Sequence, residues 1–168
     1  MPRHGRSGAG RLSQLYPLAR ALPGSLSIML RPKALHDDLA AVQAAGIDTV
    51  ISLLEPAEAA SLGLKAQSAA CAALGITFLN HPIPDMQLPQ AKAFAVFAQR
   101  VAADIREGAH VAVHCRASIG RTGMLTCAVL GYLGYSAEQA ITHVSAQRGV
   151  TIPDTQAQAA FIRKISAS

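Results

Sequence analysis

Between residues 111 and 123 the chain reads VAVHCRASIGRTG, and no other stretch limits its fold so tightly. The short run VAVH has the length and apolarity of a buried parallel strand. From Thr122 onward, TGMLTCAVLGYL is apolar on every side, as a helix at the centre of a domain must be. Strand, tight loop and buried helix, in that order, turn the loop amides and the positive end of the helix toward one small volume. Such a volume attracts an anion. Cys115 stands at its base.

A chain of 168 residues can bury a core without disulfide or metal staples, and a single domain is expected over residues 21–168. The AVILMFWYC fraction is 51%, but 33 residues are Ala, so the apolar excess reflects small helix formers. The longest apolar stretch, 124–135, is interrupted by Gly131 and Gly134 and falls short of a membrane span, so no transmembrane segment is expected. Much of the formal charge of +5 comes from Arg3, Arg6, Arg11 and Arg20, which have no acid among them. Residues 1–20 therefore read as a disordered basic tail, with an organellar transit sequence as the alternative. A nucleic-acid contact would need an aromatic platform or motif that is lacking there, and no nucleic-acid partner is expected. Cys71, Cys115 and Cys127 have no metal-type or disulfide-type pairing, which suits a reducing cytoplasm.

The remaining pattern alternates. Residues 25–30 read as a strand closed by Arg31-Pro32; Leu35, Leu39, Val42 and Ala45 recur at helical spacing and Gly46 ends that helix. IDTVISLL is a buried strand, Glu55-Pro56 opens a helical stretch broken at Gly63 and resumed over 65–74, and GITFLNH is a further strand. Phe94, Phe97, Ala98, Val101 and Ile105 mark one face of a helix over 89–107. After the central helix, Ser136-Ala137-Glu138-Gln139 and Thr155-Gln156-Ala157-Gln158 both have the form of a capping box. The fold class is α/β: a central, mostly parallel sheet of four to five strands flanked by helices, with the anion-binding loop between the last strand and a buried helix.

Ligands of such sheets sit at the carboxyl ends of strands, which brings the loops after Leu53, His81 and His114 to one edge. HPIPDMQLP follows the third of the strands read above. Its prolines restrict the backbone, and Asp85 lies in the middle of it, thirty residues before Cys115.

HCRASIGRTG resembles the active-site loop of the cysteine-dependent protein tyrosine phosphatase superfamily: His-Cys, five residues, Arg, Ser or Thr, Gly. PIPD resembles the general-acid loop of its compact, dual-specificity-like (bacterial-type) branch. The likeness runs from IMLRP and VISLLEP through HPIPD to GVTIPDTQAQAAFI, about residues 25–165.

This resemblance implies a phosphatase acting through a phosphocysteine intermediate. Cys115 is then the nucleophile, its thiolate favoured by loop amides, helix and Arg121. Arg121 offers a planar fork to two phosphoryl oxygens, which a Lys ammonium cannot match. Asp85 is the general acid and then the base, and Thr122 assists departure of the thiolate. His114, Arg116, Ala117, Ser118, Ile119, Gly120 and Arg121 form the phosphate-binding loop, in which His114 shapes the backbone through hydrogen bonds. Gln158 resembles the water-positioning Gln of the late loop, although it is also the third helical residue of a capping box; Gln156 is the fallback. No metal or organic cofactor is required. Arg31 and Glu55, at strand ends, read equally as structural ion pairs and as substrate contacts, and Cys71 and Cys127 as core thiols or as redox partners of Cys115.

A sulfurtransferase, an arsenate reductase or a low-molecular-weight phosphatase also presents Cys, five residues, Arg, but the order of motifs counts against each. A catalytically dead domain that binds phosphorylated partners is the reading from another class. Phosphotyrosine, with phosphoserine and phosphothreonine, on a protein is the first substrate expectation. A small phosphomonoester, phosphoinositide or inositol phosphate is the alternative, and the protein is expected to be a monomer.

Overall fold

A computed structural model describes residues 15–19 and 22–166. The elements in chain order are β1 (Leu15–Ala19), β2 (Ser25–Met29), α1 (Leu35–Ala44), β3 (Thr49–Ser52), α2 (Pro56–Ser61), α3 (Gln67–Ala73) and β4 (Thr77–Asn80). They continue with α4 (Ala91–Arg106), β5 (His110–His114), α5 (Gly120–Tyr132), α6 (Ala137–Arg148) and α7 (Gln156–Ser166). One five-stranded sheet has the order β1-β2-β5-β3-β4, parallel throughout except for β1, which runs antiparallel to β2.

The period-two alternation of strands divides the core. Leu26 and Ile28 of β2, Ile51 of β3 and Val111 and Val113 of β5 face a large cluster with Phe94, Val101, Ile105, Leu125 and Val129 from α4 and α5. Val50 and Ala112 face the other way, onto Leu39 and Val42 of α1 and Ala70 and Cys71 of α3. The central position of α5 follows from its composition, since residues 120–130 are all buried. Among the described residues no helix is long and apolar enough to cross a membrane.

One boundary is corrected. Residues 15–19 fall inside the basic tail read over 1–20, yet they form β1, with Leu15 opposite Met29, Tyr16 opposite Ile28, and Leu18 buried. The run LYPLA carries enough apolar surface to add an edge strand, and the flanking arginines hid it from a reading based on charge. Residues 1–14 lie outside the described residues.

Parallel pairing brings the carboxyl ends of β2, β3, β4 and β5 to one edge of the sheet. The two segments that the sequence marked out for chemistry, 81–90 and 115–119, leave from that edge.

Candidate active site

β5 ends at His114, and Cys115, 2% exposed, is the first residue of the loop that leads into α5. His114 is fully buried. Its Nδ1 lies 3.2 Å from the Cys115 carbonyl, which can only accept, so Nδ1 carries the proton. Nε2 is then the acceptor for the Gln67 side-chain amide at 2.9 Å. Burial pushes the His114 pKa down to about 4; its hydrogen bond to Cys115 opposes that and the charge of Arg31 adds to it. A neutral imidazole thus ties the Cys115 backbone to α3.

Three consecutive loop carbonyls are engaged by guanidinium groups. Arg31 donates to Arg116 O at 2.9 Å, and Arg148 donates from Nη2 to Ala117 O at 3.1 Å and from Nε to Ser118 O at 3.3 Å. In a trans peptide each N–H points opposite to the preceding carbonyl. The amides of Ala117, Ser118 and Ile119 are therefore turned away from the two arginines, into the bowl above Cys115, where they can receive an anion. Ser118 makes the turn with φ 57°, a left-handed conformation that is strained for a residue with a side chain. Its buried hydroxyl donates to Met29 O at 2.6 Å and holds it there.

Arg121, on the first turn of α5, is 2% exposed. Nη1 donates to Glu58 Oε1 at 2.8 Å and to Ile83 O at 2.8 Å. Nη2 donates to Glu58 Oε2 at 2.9 Å and lies 3.1 Å from Asp85 Oδ1. Both terminal nitrogens are thereby used, and Nε is the N–H that engages none of the described residues. Burial opposes the charge on Arg121, but the Glu58 hydrogen bonds and the neighbouring Cys115, Glu58 and Asp85 outweigh it and raise its pKa. The same hydrogen bonds from Arg121 lower the Glu58 pKa against the opposing effect of burial.

The other expected residues fall as follows. Arg116 is half exposed and reaches Glu58 at 3.9 Å; Ile119 is partly buried at the head of α5. Thr122 is fully buried and its hydroxyl has no partner among the described residues. At Gln158 the structure shows the capping-box reading. The capping box exists, with Thr155 Oγ1 accepting from Gln158 N and Gln158 Oε1 from Thr155 N, both at 3.1 Å. Yet Nε2 of this 1% exposed side chain is left unpartnered. It lies 3.0 Å from where a Cβ on Gly120 would stand, and Asp154 Oδ2 is 2.6 Å from the same point. A side chain at position 120 would therefore have to displace the Asp154 carboxylate and crowd the Gln158 amide. Gln156 is exposed.

Glu58, Gln67 and Arg148 escaped the sequence reading. Glu55, the residue singled out in that stretch, is exposed and stands at the N-cap position of α2 without a side-chain hydrogen bond to it, whereas Glu58 three residues later holds Arg121. Its position on the helix that follows β3, at the ligand-binding edge, was the available signal. Cys71 and Cys127 are buried in helices, their thiol pKa values pushed by burial to about 11 and about 12. Among the described residues no group of three or more His, Cys, Asp or Glu side chains is gathered to hold a metal.

A strand, an anion-binding loop around a cysteine and a buried helix, joined by an arginine to an acid-bearing loop, define a cysteine-dependent phosphatase fold. The family model "Polymorphic toxin system, DSP-PTPase phosphatase" matches residues 25–135. The chain belongs to this family, as a compact, dual-specificity-like member of the protein tyrosine phosphatase superfamily. A mouse (Mus musculus) relative, protein tyrosine phosphatase domain-containing protein 1, is 34% identical over 130 residues, which cover 72% of this chain and 17% of that protein. The chain therefore spans about a sixth of that relative. Among solved structures, kinase associated phosphatase, with its catalytic-site cysteine substituted by serine, is similar at TM-score 0.82 and 18% identity, covering 92% of this chain and 96% of that one. Tk-PTP in its active form is similar at TM-score 0.77 and 24% identity, covering 92% and 97%.

Proposed function

We propose that this phosphatase-family chain hydrolyses phosphate monoesters through a phosphocysteine on Cys115, acting first on phosphotyrosine and also on phosphoserine and phosphothreonine of proteins. The observation that carries the reading is the meeting of two distant loops at one guanidinium: Arg121, six residues after Cys115, touches Asp85 at 3.1 Å. In this reading the phosphoryl group takes the amides of residues 116–120 and the Nε and Nη2 edge of Arg121. Occupying Nη2 releases Asp85 from that nitrogen toward the leaving oxygen. Cys115 Sγ forms the bond to phosphorus while the ester oxygen departs with the Asp85 proton. Asp85, now ionised, then takes a proton from the water that attacks phosphorus, and the Cys115 thiolate leaves with the Thr122 hydroxyl beside it. The unpartnered Nε2–H of Gln158 and the exposure of Gln156 support Gln158 as the donor to that water. Glu58 fixes the plane of Arg121 so that its fork meets the phosphate oxygens without reorganising.

The reading includes one working domain that takes in β1 from Leu15, a monomer, and a cytoplasmic setting in which the three buried thiols stay reduced. Its test is hydrolysis of an aryl phosphate by wild type, Cys115→Ser and Asp85→Ala. Wild-type activity indistinguishable from that of Cys115→Ser would sink it and favour a non-catalytic phospho-partner binding domain.

A phosphoinositide or inositol phosphate is the second reading, favoured by the half-exposed Arg116 on the rim, although Glu58 at 3.9 Å offsets part of that charge. Specificity constants for phosphopeptides against phosphoinositides discriminate: a clear preference for inositol lipids would overturn the protein-substrate reading.

A further inference from the structure

Arg148 lies outside the proposed phosphoryl chemistry, at the end of α6 and thirty residues from the loop it touches. We propose that Arg148, backed by Tyr16, is a positioning residue that holds the phosphate loop in its anion-binding form, so that the edge strand β1 helps set affinity for phosphate. The proposal rests on the same site as the phosphatase reading but concerns anion binding rather than turnover.

The two carbonyls that accept from Arg148, Ala117 O and Ser118 O, belong to the two peptide bonds that flank the left-handed Ser118. If either peptide turned over, a carbonyl would face the anion in place of an amide. One planar guanidinium with donors on Nε and Nη2 holds both carbonyls outward at once; a Lys ammonium is a point charge on a flexible stem and lacks that fork. Ser118 Oγ anchors the side chain to Met29 O but leaves both flanking carbonyls for Arg148 to hold.

The guanidinium is itself fixed from behind. Its Cζ lies 4.7 Å from the centre of the Tyr16 ring, a cation–π contact. Tyr16 is set by β1, which pairs with β2 and is tied to α6 where His143 Nε2 donates to Leu18 O at 2.6 Å. The path from edge strand to loop is thus ring, guanidinium, two carbonyls. A plainer role exists for Arg148, since it is the basic residue in the last turn of α6 and complements the helix dipole. That role needs only charge, and lysine would fill it.

The test uses the full chain and inorganic phosphate as the probe, with Kd from titration, kcat and KM for p-nitrophenyl phosphate, and Tm, for wild type, Arg148→Lys, Arg148→Ala, Tyr16→Leu and Tyr16→Phe. Expected are a phosphate Kd weakened about tenfold in both Arg148 variants, with KM rising alongside, about threefold in Tyr16→Leu, and no change in Tyr16→Phe, which keeps the ring. Phosphate bound by Arg148→Lys as tightly as by wild type would overturn the proposal in favour of the dipole role, as would a lowered Tm in Tyr16→Leu with unchanged Kd. Should Arg148→Ala fail to fold, Arg148→Lys and the Tyr16 pair still decide. Wild type that binds phosphate without hydrolysing ester would break the catalytic reading while leaving this comparison of Kd values intact; wild type that binds no phosphate would overturn both.

Discussion

Ser118 and Met86 are the two non-glycine residues with left-handed backbone among the described residues, and they sit at the turning points of the two loops that build the site. Their surroundings differ in every other respect. Ser118 is fully buried, donates to Met29 O, and has its own carbonyl and that of Ala117 taken by Arg148. Met86, with φ 61°, is 57% exposed, in a turn closed by Gln87 N and Pro84 O at 3.1 Å. The difference separates a closely held half of the site from a more exposed one. The loop after Cys115 is held from β2, α3 and α6, whereas the loop of Asp85 is held through the buried Ile83 and Arg121, and in the proposed reading it must release Asp85 for that residue to act.

Changes at the closely held half should cost most. Arg121→Lys removes the fork while keeping a charge, and kcat/KM is expected to fall about 10³-fold, as for loss of an arginine that stabilises a phosphoryl transition state. Steady-state kinetics on an aryl phosphate checks it, and a loss under tenfold would mean that the loop amides carry the phosphate without Arg121.

His114 gives the same half a pH signature. Its folded-state pKa of about 4 lies below the ordinary 6.5, so the unfolded chain binds the extra proton first. The stability from keeping this imidazole neutral is fully present above pH 6.5 and is lost as pH falls toward 4, about 3 kcal/mol in all. Urea unfolding of wild type between pH 7 and 4 should show that slope, and His114→Asn, though less stable throughout, should lack most of it. Parallel slopes would place the titration elsewhere, His81 being the other histidine among the described residues whose pKa burial lowers.

On the more exposed half, Asp85→Asn should reduce kcat about 10²-fold for an alkyl phosphate and less for p-nitrophenyl phosphate, whose leaving oxygen needs a proton least. Equal losses on both would assign Asp85 to holding Arg121 rather than to proton transfer. Between the halves stands Glu58. Glu58→Gln keeps the shape of the Arg121 clamp and removes its charge, for an expected loss of about tenfold in kcat/KM. Because the Glu58 pKa is lowered in the fold, its contribution to stability is present above about pH 4.5 and is lost as pH falls below that, so wild type but not the variant should show this acid-side loss.

The closely held half was also the more legible one. Cys115, Arg121 and Thr122 stand in one contiguous run whose strand-loop-helix pattern can be read locally, and the apolar periodicities placed the elements behind it. Asp85 could be read because parallel strands deliver their following loops to one edge. The supporting contacts could not: Glu58 is 63 residues from Arg121, Gln67 is 47 from His114, and Arg148 is 30 from Ser118. Each is an ordinary polar residue of a helix whose partner is chosen only when layers pack. β1 was lost for a different reason, since its five residues pair with β2 in a way that local charge does not reveal.

The smallest effect is expected at Met86. Met86→Gly removes the strain of a left-handed side-chain residue, on the order of 1 kcal/mol, but gives the unfolded chain more freedom, worth about the same. Stability should therefore change by no more than about 1 kcal/mol in either direction. Activity follows a different balance, because a glycine beside Asp85 widens the range of directions in which the acid can point. kcat should fall about threefold, with the phosphate Kd unchanged since Met86 is not part of the phosphate loop. The matching change on the buried side, Ser118→Gly, relieves the same strain but deletes the hydroxyl bond to Met29 O, so it should weaken phosphate binding where Met86→Gly does not. If both variants altered phosphate binding alike, the two loops would be one coupled unit, with the Arg121–Asp85 contact transmitting between them.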